Sequence, residues 1–187
     1  MRVIAGKFRS QPLVAPKGWK TRPTSDRLRE TLFNVIAPQI KGAVFADLFA
    51  GTGAIGIEAL SREAKHVYFA ENAKTPLAAL RANIEKFGLG TEADIEACGT
   101  LPLLRRLLKE GIRLDFVYLD PPYSDHLAYK STLQFLAENA VVNPGRIIIA
   151  EHARRSVLLE PSGLLESYRR IEQGDAALTF FRCNAQS

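Results

Sequence analysis

One stretch decides the fold of this 187-residue chain: Ala43-Val44-Phe45-Ala46-Asp47-Leu48-Phe49-Ala50-Gly51-Thr52-Gly53-Ala54-Ile55-Gly56. Its apolar run, residues 43–48, predicts a buried strand, and residues 54–61 predict a helix. The glycines between them follow the spacing G-x-G-x-x-G, which allows a tight turn and lets the backbone at a helix N-terminus approach a ligand closely. The stretch therefore predicts a site for a nucleoside-bearing cofactor. The alternative is a turn whose glycines serve only helix–strand packing.

Beyond this stretch, apolar strands alternate strictly with helices. Because the strands are continuous apolar runs, we expect them to be buried on both faces of a parallel sheet. Two last strands flank the turn-rich residues 172–175 and are expected to pair antiparallel at the sheet edge. The predicted fold class is α/β, doubly wound and Rossmann-like, with a mostly parallel seven-stranded sheet. The predicted strands after the first are 67–70, 94–97, 114–119, 146–150, 164–171 and 176–183, and the helices between them are 76–87, 102–109 and 127–139.

The basic charge is concentrated near the N-terminus. Residues 1–31 hold eight Lys or Arg and two Asp or Glu, a net charge of +6. The remaining 156 residues hold 17 basic and 18 acidic residues, a net charge of −1. A basic segment attracts polyanions, and nucleic acid is the obvious one. The alternative is a solvated segment that only favours solubility.

The same region is predicted to be an arm in front of the main domain. Residues 1–24 are expected to form this arm, with residues 2–5 and 11–14 pairing as a hairpin. The domain is expected over residues 25–187, and its first helix is predicted to begin at Ser25 and to be closed by Pro38.

Two acidic residues indicate which cofactor the glycine loop binds. Glu71 lies twenty residues after Gly51 at the end of the second strand, where a carboxylate binds ribose hydroxyls in doubly wound folds. Asp47 ends the first strand, where its charge would oppose a pyrophosphate but favour a cation. S-adenosylmethionine carries a cationic amino group and a cationic sulfonium, so it is predicted in preference to NAD. The alternative role for Asp47 is a cap on the following helix.

A second loop, Asp120-Pro121-Pro122-Tyr123, follows the fourth strand. Ligands of open parallel sheets bind beyond the carboxyl ends of the strands, so this loop is expected to face the glycine loop. The two prolines stiffen it and remove two donors, which leaves the Asp120 carboxylate and the Pro121 carbonyl as acceptors for an exocyclic amine. Tyr123 can stack on a base. The alternative is a stiff loop with a capping aspartate.

These motifs resemble a known family when two further segments are added: Arg2-Val3-Ile4-Ala5-Gly6 and Thr21-Arg22-Pro23-Thr24-Ser25-Asp26-Arg27-Leu28-Arg29-Glu30-Thr31-Leu32-Phe33-Asn34. Over nearly its whole length, the chain resembles the RsmD family of bacterial 16S ribosomal-RNA guanine-N2 methyltransferases. The resemblance implies a class I methyltransferase fold with S-adenosylmethionine as cofactor. It also implies N2-methylguanine in 16S rRNA as the product, made on a small-subunit assembly particle.

Cys98-Gly99-Thr100 stands where such enzymes commonly carry an acidic or amide residue toward the adenine, so backbone groups or the Thr100 hydroxyl are expected there instead.

The expected site residues fall into three groups. The expected catalytic residues are Asp120, Pro121, Pro122 and Tyr123. The expected cofactor-binding residues are Asp47, Phe49, Ala50, Gly51, Thr52, Gly53, Glu71, Asn72, Gly99, Thr100 and Asp120. The expected RNA-binding residues are Arg2, Lys7, Arg9, Lys20, Arg22, Thr24 and Arg27.

Several other classes of function are weighed against this one. His66, His126 and His152 share no metal-ligand spacing, so no metal is predicted. Two cysteines and no membrane segment or signal peptide favour a cytoplasmic protein, and a monomer is expected. The rivals are a DNA adenine-N6 methyltransferase, a non-catalytic RNA-binding module and an NAD-dependent oxidoreductase.

Overall fold

The computed structural model describes residues 1–16, 26–156, 158 and 163–185, in which seven strands form one sheet and five helices cover it. The apolar alternation seen in the sequence produces these elements nearly where it predicts them. In chain order they are α1 (Asp26–Ile40), β1 (Val44–Leu48), α2 (Ala54–Ser61), β2 (His66–Ala70), α3 (Lys74–Lys86), β3 (Ala93–Glu96), α4 (Thr100–Lys109), β4 (Leu114–Leu119), α5 (His126–Glu138), β5 (Val142–Ala153), β6 (Leu165–Gln173) and β7 (Ala176–Cys183).

The sheet has the strand order β3-β2-β1-β4-β5-β7-β6. The strands β1 to β5 are parallel, whereas β7 is antiparallel to both β5 and β6. This arrangement confirms the predicted α/β fold class, with its mostly parallel seven-stranded sheet and antiparallel C-terminal pair. It also brings the carboxyl ends of β1 and β4 side by side, because the strand order reverses at β1.

Two hydrophobic layers enclose the sheet. On one face, α1, α2 and α3 pack over the phenylalanines Phe45, Phe69 and Phe116, which are fully buried. On the other face, α4 and α5 pack over small and aliphatic side chains such as Ala46 and Val117. Successive residues of β1 and β4 therefore enter opposite layers, and both layers are buried. This explains why these strands are continuous apolar runs in the sequence.

Two predicted boundaries are wrong. Pro38 does not close α1, which continues to Ile40 because that side chain is buried in the core. A proline near the end of a helix removes a single backbone hydrogen bond, which this packing offsets. The fifth strand begins at Val142 rather than at residue 146, and its pairing with β4 shifts register after Leu114. Asn143, Pro144 and Gly145 lie in this irregular part, and Gly145 has a φ of 77°. These three residues interrupt the apolar run, so the sequence pattern does not predict the start of the strand.

The N-terminal hairpin, residues 1–14, is less regular than predicted. Its antiparallel pairing consists of one bridge between Arg2 and Pro12, so it lacks the two expected strands. The Val3 N–H donates to the Gln11 carbonyl at 3.0 Å, and Val3 is buried in the same core cluster as α1.

The hairpin is fastened to α2 by buried polar groups. The Glu58 carboxylate accepts the N–H groups of Ile4 at 2.7 Å and Ala5 at 3.0 Å. At the end of the same helix, the Ser61 hydroxyl accepts the Phe8 N–H at 3.0 Å. These bonds satisfy backbone groups that the irregular hairpin leaves without ladder partners.

Among the helices of the described ranges, none is long and apolar enough to span a bilayer.

Candidate active site

The loop after β1 bends through left-handed backbone conformations. Phe49 has a φ of 67°, and Gly51 and Gly53 have φ values of 57° and 81°. A Cβ atom at Gly53 would lie 2.4 Å from Leu80 Cδ1, whereas one at Gly51 would meet nothing within 4 Å. Helix packing therefore explains Gly53, but it does not explain Gly51. A left-handed non-glycine residue such as Phe49 is uncommon and concentrates at functional sites.

Asp47 is a buried carboxyl group under this loop, with 1% of its surface exposed. Its Oδ2 accepts the Gly56 N–H at 2.8 Å, in the first turn of α2, so the capping role considered for Asp47 is present. Burial raises the pKa of Asp47 to about 8, against the effect of the Gly56 hydrogen bond and with a further rise from the charge of Glu71. A cationic ligand nearby would favour the ionised carboxylate, because opposite charges stabilise the charged form.

Glu71 links the ends of β1 and β2. Its Oε2 accepts the Gly51 N–H at 2.8 Å, and its Oε1 accepts the Ala73 N–H at 2.7 Å. A Cβ atom at Gly99 would lie 3.4 Å from Asn72 Nδ2, so the loop after β3 also touches this end of β2. The residues expected around the adenosine part of the cofactor therefore lie together at the carboxyl edge of the sheet.

The loop after β4 lies beside the loop after β1. Leu119, the last residue of β4, pairs with Leu48, the last residue of β1. Asp120 and Phe49, the next residues of the two chain segments, therefore begin neighbouring loops. The expected adjacency of the Asp120–Tyr123 loop and the glycine loop is therefore observed. Pro121 is buried, while Asp120 and Tyr123 are half-buried at this edge.

Glu151 near the end of β5 organises the Asp120–Tyr123 loop, and the sequence did not single it out. Its Oε1 accepts the Tyr123 hydroxyl at 3.0 Å, and its Oε2 accepts the Tyr118 hydroxyl. The Tyr129 hydroxyl donates to the Glu151 backbone carbonyl at 2.6 Å and lies 3.2 Å from the Pro121 carbonyl. The available signal was an acidic residue directly after an apolar strand, a position that Glu71 shares.

Tyr129 is a neutral hydroxyl group in this network. Burial, followed by the negative charge of Asp120, raises the pKa of Tyr129 above its usual value. The hydroxyl therefore keeps its proton at physiological pH and acts as a donor rather than as a base.

The residues expected to bind RNA do not all lie together. Arg2, Arg9 and Arg27 line a cavity of about 470 Å³ between the N-terminal hairpin and the start of α1. The Lys7 N–H donates to the Ser61 carbonyl at 2.9 Å, at the opposite end of α2 from the glycine loop. An eight-residue helix is about 12 Å long, so Lys7 is separated from the candidate site by that length. Three further expected residues lie outside the described ranges: Lys20, Arg22 and Thr24.

The histidines occupy separate places in the fold. The His152 ring bonds the Thr179 hydroxyl at 2.8 Å, His66 begins β2, and His126 begins α5. Within residues 1–16, 26–156, 158 and 163–185, no group of three or more His, Cys, Asp or Glu side chains is arranged to hold a metal ion.

Known proteins of similar sequence and structure include methyltransferases. A family model described as Conserved hypothetical protein 95 matches residues 1–182. The Ribosomal RNA small subunit methyltransferase D of Haemophilus influenzae is 36% identical over 183 residues, which cover 97% of this chain and 92% of that protein. The solved structure of Escherichia coli yhhF matches with a TM-score of 0.85 at 31% identity, covering 100% of this chain and 99% of that chain.

A more distant solved structure, SMU.776 complexed with SAH, shares the fold. It matches with a TM-score of 0.68 at 14% identity, covering 82% of this chain and 49% of that chain. The resemblance expected from the motifs is confirmed by the family match over residues 1–182 and by the Haemophilus influenzae relative. The chain belongs to the Conserved hypothetical protein 95 family, which is the RsmD family of methyltransferases.

Proposed function

We propose that this chain transfers a methyl group from S-adenosylmethionine to the exocyclic N2 amine of a guanine in 16S ribosomal RNA. The observation that carries the proposal is the pairing of Leu48 with Leu119, which sets the glycine loop and the Asp120–Tyr123 loop side by side. One loop has the features of a cofactor site, and the other presents acceptors for an amine. The name of the Haemophilus influenzae relative supports ribosomal RNA of the small subunit as the substrate.

The residues at the end of β1 fit S-adenosylmethionine as the cofactor. When bound, this cofactor supplies an electrophilic methyl group on a cationic sulfur. Burial makes the ionised form of Asp47 costly and raises its pKa, so the carboxylate needs a neighbouring cation. The cationic amino group of the methionine part supplies this cation. Gly51 leaves open space beside the loop backbone, which suits close approach of a ligand. The cofactor in the SMU.776 complex, SAH, is the demethylated form of the same molecule.

The adenosine part is assigned to the ends of β2 and β3. Glu71 already accepts two backbone N–H groups, and each of its oxygens retains a lone pair for a ribose hydroxyl. Asn72, Gly99 and Thr100 surround the adenine position in this proposal. Their main-chain groups and the Thr100 hydroxyl take the part of the acidic or amide residue that this chain lacks there.

The Asp120–Tyr123 loop holds the amine and directs its lone pair. The Asp120 carboxylate accepts one N–H of the guanine amine, and the Pro121 carbonyl accepts the other. With both hydrogens held, the nitrogen is drawn out of conjugation, and its lone pair attacks the methyl carbon as the carbon–sulfur bond breaks. The nitrogen becomes cationic beside the Asp120 carboxylate, which stabilises that charge, and then loses a proton to solvent. Positioning of this kind contributes several kcal/mol, on the order of 7 or more in well-aligned systems.

The basic residues of the N-terminal region are proposed to hold the RNA around the flipped base. Arg2, Arg9 and Arg27 line one cavity near the start of α1 together with Asp26 and Glu30, and the net positive charge of this lining suits phosphate contacts. Lys20, Arg22 and Thr24 belong to the same proposed arm, and Lys7 would reach RNA farther from the target base. We further propose that the protein acts as a monomer, in the cytoplasm, on a small-subunit assembly particle.

A methyl-transfer assay with nucleoside mass spectrometry tests the proposed function. Unmethylated small-subunit particles, naked 16S rRNA and a DNA duplex with adenine sites are incubated separately with the protein and labelled S-adenosylmethionine. We expect N2-methylguanine in the RNA samples and no N6-methyladenine in the DNA. Asp120→Ala is expected to abolish turnover with near-normal cofactor affinity, whereas Asp94→Ala, a surface control on β3, keeps activity. Label in adenine of DNA, or full activity of Asp120→Ala, would refute the proposal.

A further inference from the structure

Glu151 is a buried carboxylate that touches every tyrosine around the Asp120–Tyr123 loop. It has 4% of its surface exposed and lies near the carboxyl end of β5, next to β4 in the sheet. Each carboxylate oxygen accepts one tyrosine hydroxyl, from Tyr118 and Tyr123, and its backbone carbonyl accepts a third, from Tyr129. Burial of a carboxylate is costly unless hydrogen bonds satisfy it, and these tyrosines supply them.

The loop itself does not fix the ring of Tyr123. Pro121 and Pro122 restrict the backbone torsions, but the aromatic side chain keeps its own rotation about χ1 and χ2. A hydrogen bond at the far end of the ring, to a carboxylate held in a strand, fixes the direction of the side chain and so restricts χ1. Because the other oxygen of Glu151 accepts the fully buried Tyr118, the carboxylate cannot easily follow a moving ring.

We propose that Glu151 is a positioning residue for the methyl transfer: it fixes the position of the Tyr123 ring on which the target base stacks. Through its backbone carbonyl it also holds Tyr129, whose hydroxyl lies 3.2 Å from the Pro121 carbonyl. Glu151 acts through these tyrosines and not on the substrate, because Glu151 is buried and each of its carboxylate oxygens accepts a tyrosine hydroxyl. This assignment rests on the proposed function for its catalytic consequence, but the ordering of the loop can be measured without turnover.

The proposal predicts that shape and hydrogen bonding matter at this position and that charge does not. In Glu151→Gln, the amide oxygen can accept one tyrosine hydroxyl and the amide nitrogen can donate to the other. In Glu151→Leu, both links are lost while the side-chain volume is nearly kept. Tyr123→Phe removes a single hydroxyl from the half-buried end of the network, which makes it the mildest variant and the one least able to disturb folding.

Steady-state kinetics of these variants on rRNA particles test the catalytic role. We expect Glu151→Leu to lower kcat by about 10- to 100-fold, because small misplacements cost that much, with cofactor affinity within about twofold of wild type. Glu151→Gln should retain activity within about threefold, and Tyr123→Phe should lower kcat by about 10-fold. The double variant Glu151→Leu/Tyr123→Phe should be no worse than Glu151→Leu alone, because the two residues act through one bond.

Hydrogen–deuterium exchange of the peptide covering residues 120–128 gives a second readout that needs no substrate. Exchange should speed up by about 10-fold in Glu151→Leu and in Tyr123→Phe but not in Glu151→Gln. Wild-type exchange in Tyr123→Phe together with wild-type kcat would overturn the assignment, as would equal inactivity of Glu151→Gln and Glu151→Leu. If the wild-type protein methylates no RNA, the proposed function fails, while the exchange comparison still decides the role of Glu151.

Discussion

Replacing Asn83 with alanine should loosen the N-terminal hairpin and the glycine loop together. Asn83 is fully buried on α3. Its Oδ1 accepts the Val14 N–H at 2.7 Å, and its Nδ2 donates to the carbonyls of Val14 and Thr52, both at 3.0 Å. Val14 ends the hairpin, and Thr52 belongs to the proposed cofactor loop. One side chain therefore joins the two parts of the chain that the proposed reaction uses.

The magnitude follows from the three hydrogen bonds that the substitution removes. Each contributes about 1 kcal/mol net, and a buried backbone group left without a partner adds about 1–3 kcal/mol. The expected loss is therefore about 4–6 kcal/mol in the free energy of unfolding. For a domain of this size, this corresponds to a fall in Tm of roughly 8–24 °C. Freeing Thr52 should also weaken cofactor binding, by about fivefold for each 1 kcal/mol of added loop freedom.

Urea unfolding and calorimetric titration of S-adenosylmethionine measure the two effects. The matched control is Asn34→Ala, since Asn34 is an exposed asparagine on α1 and its replacement should change stability by less than about 0.5 kcal/mol. A loss below about 1 kcal/mol for Asn83→Ala would refute the reasoning, because it would mean that the three bonds contribute nothing net. Loss of stability with unchanged cofactor affinity would refute the link to the glycine loop alone.

Three further predictions concern the site and the RNA surface. The pKa of Asp47 is raised to about 8 in the folded protein, well above its value in the unfolded chain. The free energy of unfolding therefore falls as the pH rises from the unfolded pKa toward about 8. Asp47→Asn, which keeps an acceptor for Gly56, should resist urea better than wild type at pH 9 but bind S-adenosylmethionine more weakly. Gly51→Ala should cost only about 1 kcal/mol of stability for its left-handed φ yet weaken cofactor binding, whereas Gly53→Ala should lower Tm further, since its Cβ meets Leu80. In filter binding, Arg27→Ala should reduce the salt dependence of RNA affinity by about one unit of slope and leave cofactor affinity unchanged.

The sheet and the two loops at its edge could be predicted because local patterns encode them. Continuous apolar runs identify strands buried on both faces, and the usual winding of such sheets puts the first strand beside the fourth. Hence Gly51 and Asp120, 69 positions apart in the sequence, were expected at one edge. Glu71 was found because its distance from the glycines is characteristic of the fold.

Contacts between distant side chains could not be predicted. The network of Glu151 depends on tyrosines from β4, the following loop and α5, and no spacing in the sequence links these elements. Asn83 shows as a polar residue on an apolar helix face, but its partners Val14 and Thr52 belong to irregular segments. A count of charges cannot separate Lys7 from Arg27 as candidate RNA contacts. The position of Lys7 at the far end of α2 depends on the hydrogen bonds of the hairpin to Glu58 and Ser61, which the sequence does not reveal.

The fastening of the hairpin to α2 has a consequence for synthesis of the chain. Ile4 and Ala5 are translated before their partner Glu58, which follows 54 and 53 residues later. At about 5–20 residues per second, these N–H groups wait several seconds for their acceptor, and Val14 waits longer for Asn83. The hairpin should therefore stay open to proteases until α2 and α3 have been made, later than its own place in the chain requires.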